Sequence, residues 1–129
     1  MQIDETTASA AVQQTIRAFA QSSDRSQADA LDSLLHPDFR VVFSMSAGGK
    51  PTTLDRKRYL QMVRDGKVGG VERQVALSSV SVANGFAQGT ALMDRPDASF
   101  QGVYSLIQRD GQWLLLQEAV LMTVKASPK

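Results

Sequence analysis

Three side chains in this sequence are candidates to move protons in a reaction because of their type and position: His36, Asp38 and Glu118. His36 is the single histidine of the chain, and imidazole changes its charge near neutral pH. Glu118 stands inside the apolar run LLLQEAVLM, where burial raises the pKa of a carboxyl and suits it to general acid or base catalysis. These residues are therefore the candidate catalytic residues, and Glu118 is a stronger candidate for acid–base catalysis than His36.

Each candidate also has a purely structural explanation. His36 and Asp38 lie in the segment HPDF, where a helical pattern gives way to a strand pattern. A histidine in the last turn of a helix can bond a free carbonyl, and an aspartate just beyond it can fix the turn. Glu118 could instead form a cross-strand ion pair with Arg73, Arg95 or Arg109, or lie on a solvated dimer rim.

The composition excludes several classes of protein. The chain has no cysteine, so disulfides, thiolate nucleophiles and thiolate metal sites are ruled out. A single histidine and no cluster of acidic residues predict no metal site. The glycine pairs lack the spacing of phosphate- and dinucleotide-binding loops, so we expect no cofactor. The net charge of +1 predicts no nucleic-acid partner and no membrane partner. Because the N-terminus lacks the pattern of a signal peptide, we expect a cytoplasmic protein.

Apolar residues at helical spacing predict three helices before residue 70. The first covers residues 5–22. Its apolar stripe is Val12, Ile16, Phe19 and Ala20. A short second helix begins after the N-cap Ser26 and ends before Pro37, which puts His36 in its last turn. The third helix covers residues 54–65, with Thr53 as its N-cap.

Strand patterns follow these helices. The predicted strands cover residues 39–45, 71–82, 86–93, 99–109 and 112–124. The last four are joined by short links, including the hairpin signal Asp110–Gly111, so an antiparallel meander is expected. A change of parity after Leu77 predicts a bulge near Ser78 and Ser79. Helices followed by a meander indicate an α+β fold in a single domain, residues 1–129.

The last predicted strand is apolar on both faces. One face is predicted to carry Trp113, Leu115, Ala119 and Leu121, and the other Leu114, Leu116, Val120 and Met122. A strand that is apolar on both faces is covered on both faces. Because the helices can cover only one of them, we expect a homodimer formed through the outer face of the sheet.

The order of elements resembles that of the nuclear transport factor 2-like superfamily, and within it the lumazine-binding or polyketide-cyclase-like (SnoaL-like) branch. The resemblance is carried by the segments DALDSLLHPDFRVVF, LDRKRYLQMVRDG, FAQGTALM and FQGVYSLIQRDGQW. It implies a cystatin-like α+β cone, in which a curved antiparallel sheet wraps around the N-terminal helices and leaves a pocket inside. It also implies a dimer formed by the outer face of the sheet.

The superfamily includes ketosteroid isomerases, which use one tyrosine and two carboxyl groups. By this resemblance the tyrosine position falls near Ile16, the base near Phe43 or Ser44, and the acid near Tyr104. A phenylalanine cannot abstract a proton. The departure from the pattern therefore argues against isomerase chemistry of that type.

Three functional hypotheses remain. The first is a non-catalytic domain that binds a small apolar or aromatic ligand in its pocket. The residues expected to line that pocket are Phe43, Met45, Tyr59, Met62, Met93 and Tyr104, which would equally fill a core. The second is a cofactor-free lyase or isomerase, dehydratase- or cyclase-like, that uses Glu118, His36 or Asp38 beside a carbonyl. The third is a dimerisation or adaptor domain with a filled pocket.

Overall fold

The computed structural model of the protein describes residues 5–125, with side chains from residue 7, so residues 1–4 and 126–129 of the predicted domain lie outside the described part. In chain order the elements are α1 (Glu5–Asp24), α2 (Ala28–Asp32), β1 (Leu35–Met45), β2 (Thr52–Asp55), α3 (Arg56–Arg64), β3 (Gln74–Val82), β4 (Phe86–Arg95), β5 (Ala98–Arg109) and β6 (Gln112–Val124). Within this part, no helix is both long enough and apolar enough to span a bilayer.

The six strands form one curved, open sheet in the order β2-β1-β6-β5-β4-β3. The α+β class and the meander from β3 to β6 are confirmed, since each consecutive pair there is antiparallel. One pairing departs from the expected antiparallel sheet: β1 runs parallel to β6. These two strands are separated by most of the chain, so no tight turn dictates their relative direction. The sheet is therefore mixed.

Helix α1 packs on the sheet through the predicted apolar stripe. All four stripe residues are buried: Val12, Ile16, Phe19 and Ala20. Gly89 on β4 permits this close packing, because a Cβ there would lie 2.7 Å from Cδ1 of Ile16. The helix continues to Asp24, two residues beyond the predicted end. Ser23 and Asp24 are buried in that last turn, where other elements supply their polar partners.

The prediction for the second helix is wrong at its N-cap, which is Gln27 and not Ser26, and it is wrong beyond Asp32. Helix α2 has five residues, and Leu35 already belongs to β1, where it pairs with Leu115 of β6. His36 and Pro37 therefore lie in a strand and not in the last turn of a helix. Pro37 is tolerated because the register of β1 against β6 is irregular there, so its missing N–H costs no ladder bond.

Strand β2 was not expected from the sequence. Thr53, predicted to cap the third helix, instead pairs with Val42 of β1. The helix N-cap is Asp55, whose Oδ1 accepts a hydrogen bond of 2.8 Å from the backbone N–H of Arg58. An aspartate at this position satisfies one of the free N–H groups of the first turn. Gly66 follows the helix with a φ of 73°, as expected of a glycine that ends a helix.

Two further irregularities, besides the one between β1 and β6, bend the sheet. The predicted bulge near Ser78 and Ser79 is confirmed, because the register of β3 against β4 shifts there. A second one lies in β6, where Leu115 and Gln117 pair with successive residues of β5 and leave Leu116 between the paired positions. An extra residue in one strand of a pair reverses the side-chain alternation beyond it.

The bulge in β6 decides which side chains face the helices. Trp113 and Leu115 are buried before the bulge, whereas Glu118 and Val120 are buried after it. The prediction that Leu121 shares the face of Trp113 is therefore wrong, and Leu121 is 38% exposed. Strict alternation would have placed the glutamate on the other face. The irregularity thus brings a carboxyl group to the inner side of the sheet.

An aromatic cluster joins the helices to the sheet. Phe19 of α1 contacts Phe39 of β1, Tyr59 of α3 and Tyr104 of β5, with ring centroids between 5.9 and 6.0 Å apart. The rings of Phe39 and Tyr59 lie 5.6 Å apart. Such tilted and offset contacts are the favourable arrangements for aromatic pairs. This cluster forms one end of the core, and the cavity described next lies beside it.

Candidate functional site

A cavity of 420 Å³ lies between α3, the loop that follows it, and strands β1, β2, β5 and β6. Its apolar lining includes Val41, Phe43, Leu54, Met62, Val120 and Met122. Its charged lining residues are Asp24, Arg58, Lys67, Arg73, Arg95 and Glu118. The volume falls within the range of small-molecule sites, roughly 300–1,000 Å³, and such sites combine apolar walls with a few polar groups.

Three of the six residues expected to line a pocket lie on this wall: Phe43, Tyr59 and Met62. The other three are Met45, Met93 and Tyr104, and the lining does not include them. Met45 is the last residue of β1, beyond Phe43 along the strand. Met93 and Tyr104 are fully buried against each other, with the phenol hydroxyl 3.4 Å from Sδ of Met93.

Glu118 lies in the cavity wall with only 5% of its surface exposed. It is held by the two strands that flank β6, because it pairs with Val41 on one side and with Tyr104 on the other. No ion pair in residues 5–125 includes this carboxylate. Arg73 and Arg95, two of its expected partners, bind Asp24 and Asp97 instead. The carboxyl group is therefore buried without the salt bridge that the sequence suggested.

Burial raises the pKa of the Glu118 carboxyl, because a charged group loses solvation inside the protein. The neighbouring Tyr104 hydroxyl and the Arg73 guanidinium oppose this rise in pKa, and the Asp24 carboxylate adds to it. Loss of solvation is the largest of these effects. A carboxyl in such surroundings can hold a proton closer to neutral pH and can donate it to, or accept it from, a bound molecule.

Tyr104 is the residue of β5 that pairs with Glu118 of β6. Its ring folds over Gly102, where a Cβ would lie 2.7 Å from the phenol oxygen. Burial raises the pKa of this phenol well above its usual value, and the negative charge of Glu118 raises it further. Tyr104 is therefore a neutral phenol. The Tyr104 ring can occupy this position only because Gly102 has no side chain.

Tyr59 supplies a second buried phenol, and this one lines the cavity. Its hydroxyl lies 2.7 Å from the hydroxyl of Ser23 at the end of α1. Burial raises the pKa of Tyr59, and the charge of Glu118 contributes to that rise. This hydrogen bond connects α3 to α1 and fixes the ring at the wall of the cavity.

Asp24 and Arg73 form a buried ion pair at the edge of the cavity. Oδ1 of Asp24 lies 2.7 Å from Nε of Arg73, and Oδ2 accepts a hydrogen bond of 3.0 Å from the Arg73 backbone N–H. The backbone carbonyl of Asp24 also accepts a hydrogen bond from the N–H of Gly70. Three contacts therefore fasten the end of α1 to the segment that precedes β3.

Phe100 carries two guanidinium groups over its ring. The guanidinium carbons of Arg73 and Arg95 lie 4.9 and 5.2 Å from the ring centroid. All three residues line the cavity. Contact between a cation and an aromatic face is favourable, and the flat guanidinium group stacks well on a ring. The ring therefore orients both arginine side chains at this wall.

His36 and Asp38 lie outside the cavity lining. The Nδ1 atom of His36 accepts a hydrogen bond of 3.0 Å from the backbone N–H of Asp38. The Asp38 carboxylate is 86% exposed and lies 4.0 Å from the same nitrogen. The two residues contact each other at the start of β1, and the structure does not bring them to the cavity wall that contains Glu118. Residues 7–125 contain no cluster of three or more histidine, aspartate or glutamate side chains that could hold a metal ion.

The sequence model of the family described as "Putative lumazine-binding" matches residues 7–119. The chain belongs to this family. Its fold is that of the nuclear transport factor 2-like superfamily, as the order of elements predicted. Among curated proteins, none matches this sequence.

Solved structures similar to this member of the family share its fold across nearly the whole chain. A nuclear transport factor 2-like protein of unknown function from Silicibacter pomeroyi is 17% identical, with a TM-score of 0.79, and the match covers 95% of this chain and 100% of that one. A "Putative Scytalone Dehydratase" from Novosphingobium aromaticivorans is 16% identical, with a TM-score of 0.66 and coverage of 96% and 91%. A ketosteroid isomerase-like protein from Erwinia carotovora atroseptica is 11% identical, with a TM-score of 0.70 and coverage of 92% and 97%.

Several residues that line the cavity of this protein were not predicted from the sequence to do so. Asp24 was expected in a loop after the first helix, and nothing in the local pattern marks it as buried. Arg73 was considered only as a partner for Glu118. Phe100 did carry a signal, because it shares strand parity with Tyr104 and must face the same side.

Proposed function

We propose that this member of the family is a small-molecule-binding domain that holds a largely apolar, aromatic-sized ligand in the 420 Å³ cavity. The observation that supports the proposal is the combination of an apolar wall with a few buried polar groups in a space of ligand size. The family description is consistent with it. A domain whose interior was completely filled, as an adaptor would require, would have no such space.

Two measurements test the proposal. Native mass spectrometry of freshly purified protein should detect a copurified small molecule, which denaturation releases. The uncharged dye phenylnaphthylamine should increase its fluorescence on binding to the wild-type protein. Met122→Trp should abolish that increase by filling the cavity, because Met122 is in the lining. Leu121→Trp is the matched control, since Leu121 is the neighbouring residue on the opposite face of β6.

A dye signal that survives Met122→Trp, or that Leu121→Trp abolishes equally, would contradict binding in the cavity. Circular dichroism spectra of both variants must match the wild-type spectrum, so that loss of binding is not loss of folding.

A second candidate function rests on Glu118 alone. A buried carboxyl with a raised pKa, in a cavity wall and without an ion pair among the described residues, has the properties of a general acid or base. We propose as the alternative a cofactor-free lyase or isomerase that removes a proton beside a carbonyl. Its test is deuterium incorporation into an enolisable aromatic ketone in heavy water, followed by NMR. Exchange should be faster with the wild-type protein than with Glu118→Gln, and equal rates would remove Glu118 from this role.

The proposal also includes a homodimer. The outer face of the sheet exposes Leu92, Val103 and Leu121, with 45, 37 and 38% of their surfaces accessible. They lie on three adjacent strands, β4, β5 and β6. Apolar residues grouped on one face of a sheet are typical of a surface that a partner covers, and a second copy of the chain is the partner that symmetry favours.

A further inference from the structure

The charges around the cavity are unequal. Four of its lining residues are cationic and two are acidic. One of the two acids, Asp24, is already engaged with Arg73. Within residues 5–125, the side chains of Arg58 and Lys67 have no carboxylate partner in any ion pair. The wall therefore carries more positive charge than its own carboxylates balance.

The two guanidinium groups on Phe100 retain free hydrogen-bond donors. Asp24 accepts a hydrogen bond from Nε of Arg73. Asp97 forms an ion pair with Arg95 at 2.7 Å from Nε, but not in hydrogen-bond geometry. Among the described residues, no acceptor bonds the terminal nitrogens, Nη1 and Nη2, of either guanidinium. The Arg73 side chain is 9% exposed and the Arg95 side chain 18% exposed, and both residues line the cavity. A planar guanidinium with two open amino groups matches the geometry of a carboxylate or another oxyanion.

The position of these donors defines how a ligand would lie. Phe100 pairs with Met122 on β6, whereas Glu118 lies four residues earlier on that strand, beside Val41. Arg95 and Phe100 are therefore at the end of the cavity nearest Met122, whereas Arg73 also lies close enough to Glu118 for its charge to act on that carboxyl. The side chain of Val120, together with Phe43, supplies an apolar wall between Arg95 and Glu118.

We propose that the ligand is an amphipathic oxyanion, an aromatic or aliphatic molecule whose carboxylate or sulfonate group binds between Arg73 and Arg95 while its apolar body extends toward Glu118. This inference rests on the proposed function and adds the chemical class of the ligand. The anion fits the open guanidinium donors and balances the excess positive charge. The apolar body fits the wall formed by Phe43, Val120 and their neighbours.

Two dyes that differ only in a sulfonate test the inference. Anilinonaphthalenesulfonate is the sulfonated counterpart of phenylnaphthylamine, and fluorescence titration gives a dissociation constant for each. We expect the anionic dye to bind wild-type protein roughly tenfold or more tightly, as charge-assisted hydrogen bonds to an arginine would give. Only signal that Met122→Trp abolishes is assigned to the cavity.

Variants of the arginine residues test whether Arg73 and Arg95 cause the preference for the anionic dye. Arg95→Met keeps an apolar contact with Phe100 and leaves only the exposed Asp97 unpaired, so the fold should persist. It should reduce the preference for the anionic dye to less than about threefold, because half of the guanidinium pair is removed. Arg109→Met is the matched control, since it removes the same charge at the opposite end of β5 and should leave the preference unchanged.

Arg73→Lys provides a second variant at the buried arginine. It keeps a positive charge beside Asp24 but removes the guanidinium geometry, and it should also weaken binding of the anionic dye. Equal affinity for both dyes in the wild-type protein, or a preference that Arg95→Met and Arg73→Lys leave intact, would overturn the inference while cavity binding stands. Failure of both dyes to bind would overturn the proposed function as well.

Discussion

The carboxylate of Asp24, at the last residue of α1, bonds Arg73 twice: once at the side-chain Nε, at 2.7 Å, and once at the backbone N–H, at 3.0 Å. Both side chains are almost fully buried, with exposed fractions of 4 and 9%. The pair thus joins the helical layer to the start of β3 at the cavity wall. It also orients the guanidinium that stacks on Phe100.

Removing one partner of this pair should be costly. Asp24→Ala leaves the Arg73 guanidinium buried without its carboxylate, and we expect the free energy of unfolding to fall by about 3 to 5 kcal/mol. Urea denaturation followed by circular dichroism measures it. The control is Glu72→Ala, which breaks the exposed ion pair with Arg25 and should cost at most about 1 kcal/mol. Similar losses in the two variants would show that the buried pair contributes no more than a surface pair.

Gly69 should be far less tolerant of substitution than its neighbour Gly70. Both have left-handed backbone angles, φ 94° and 95°, but a Cβ at Gly69 would meet the backbone carbonyl oxygen of Ser23, whereas the space around Gly70 is open. We expect Gly70→Ala to cost about 1 to 3 kcal/mol through backbone strain alone. Gly69→Ala should cost clearly more and should loosen the loop that carries Lys67. Thermal unfolding of both variants measures the two losses of stability. Equal losses would contradict the prediction.

The raised pKa of Glu118 predicts how stability depends on pH. Because the folded protein binds this proton more tightly than the unfolded chain, the contribution of Glu118 favours folding most at pH values below its ordinary pKa of 4.5. That contribution is lost as the pH rises through the raised pKa. The free energy of unfolding of Glu118→Gln, relative to wild type, should therefore increase with pH in this interval, by at most about 1.4 kcal/mol per pH unit.

Urea denaturation of both proteins between pH 4 and pH 8 measures this difference. A difference that stays constant across the range would mean that the carboxyl is not desolvated in the folded protein. The surface variant Glu72→Gln controls for general effects of removing one carboxylate.

Gly102 should be coupled energetically to Tyr104. A methyl group at residue 102 would overlap the phenol ring, so we expect Gly102→Ala to cost about 1 to 3 kcal/mol through overpacking. In the background Tyr104→Ala that ring is absent, and the same glycine substitution should cost much less. A double-mutant cycle measured by chemical denaturation gives the coupling free energy. Additive effects of the two substitutions would show that the cost of Gly102→Ala does not come from overlap with the Tyr104 ring.

The proposed homodimer can be broken from the outer face of the sheet. Val103→Lys places a charge on this face, two residues along β5 from Gln101, which pairs with both Leu92 and Leu121. It should shift sedimentation velocity profiles from dimer to monomer. Val71→Lys is the control, because Val71 is 42% exposed but lies before β3, outside the sheet. A wild-type protein that sediments as a monomer at high concentration would contradict the proposal.

Local patterns in the sequence were sufficient where one element decides its own structure. The stripe from Val12 to Ala20 predicted α1, and the Asp110–Gly111 signal predicted the hairpin between β5 and β6, whose two turn residues have φ values of 52° and 78°. The parity change near Ser78 predicted a bulge, because both halves of that strand carry enough apolar residues to show their phase.

The rest depended on contacts between distant segments. Strand β2 has four residues and exists because β1 offers it an edge, so its sequence alone carries little signal. The bulge at Leu116 is invisible in β6, since that strand is apolar on both faces and hides a change of phase. As a result, the apolar surroundings of Glu118 suggested burial, but the face of the sheet on which it lies could not be predicted. The pairing of Asp24 with Arg73 joins residues 49 positions apart and leaves no local trace.

The cavity depends on the last strand of the chain, because β6 supplies part of its wall. β6 is the last strand in chain order, yet it lies between β1 and β5 in the middle of the sheet. Until it docks, the N-terminal segment and the β3–β5 meander have no strand in common, and closing such a distant contact is slow. Most of the chain must therefore be synthesised before the cavity wall can form, and shortening the chain before Gln112 would leave two separate half-sheets with exposed edges.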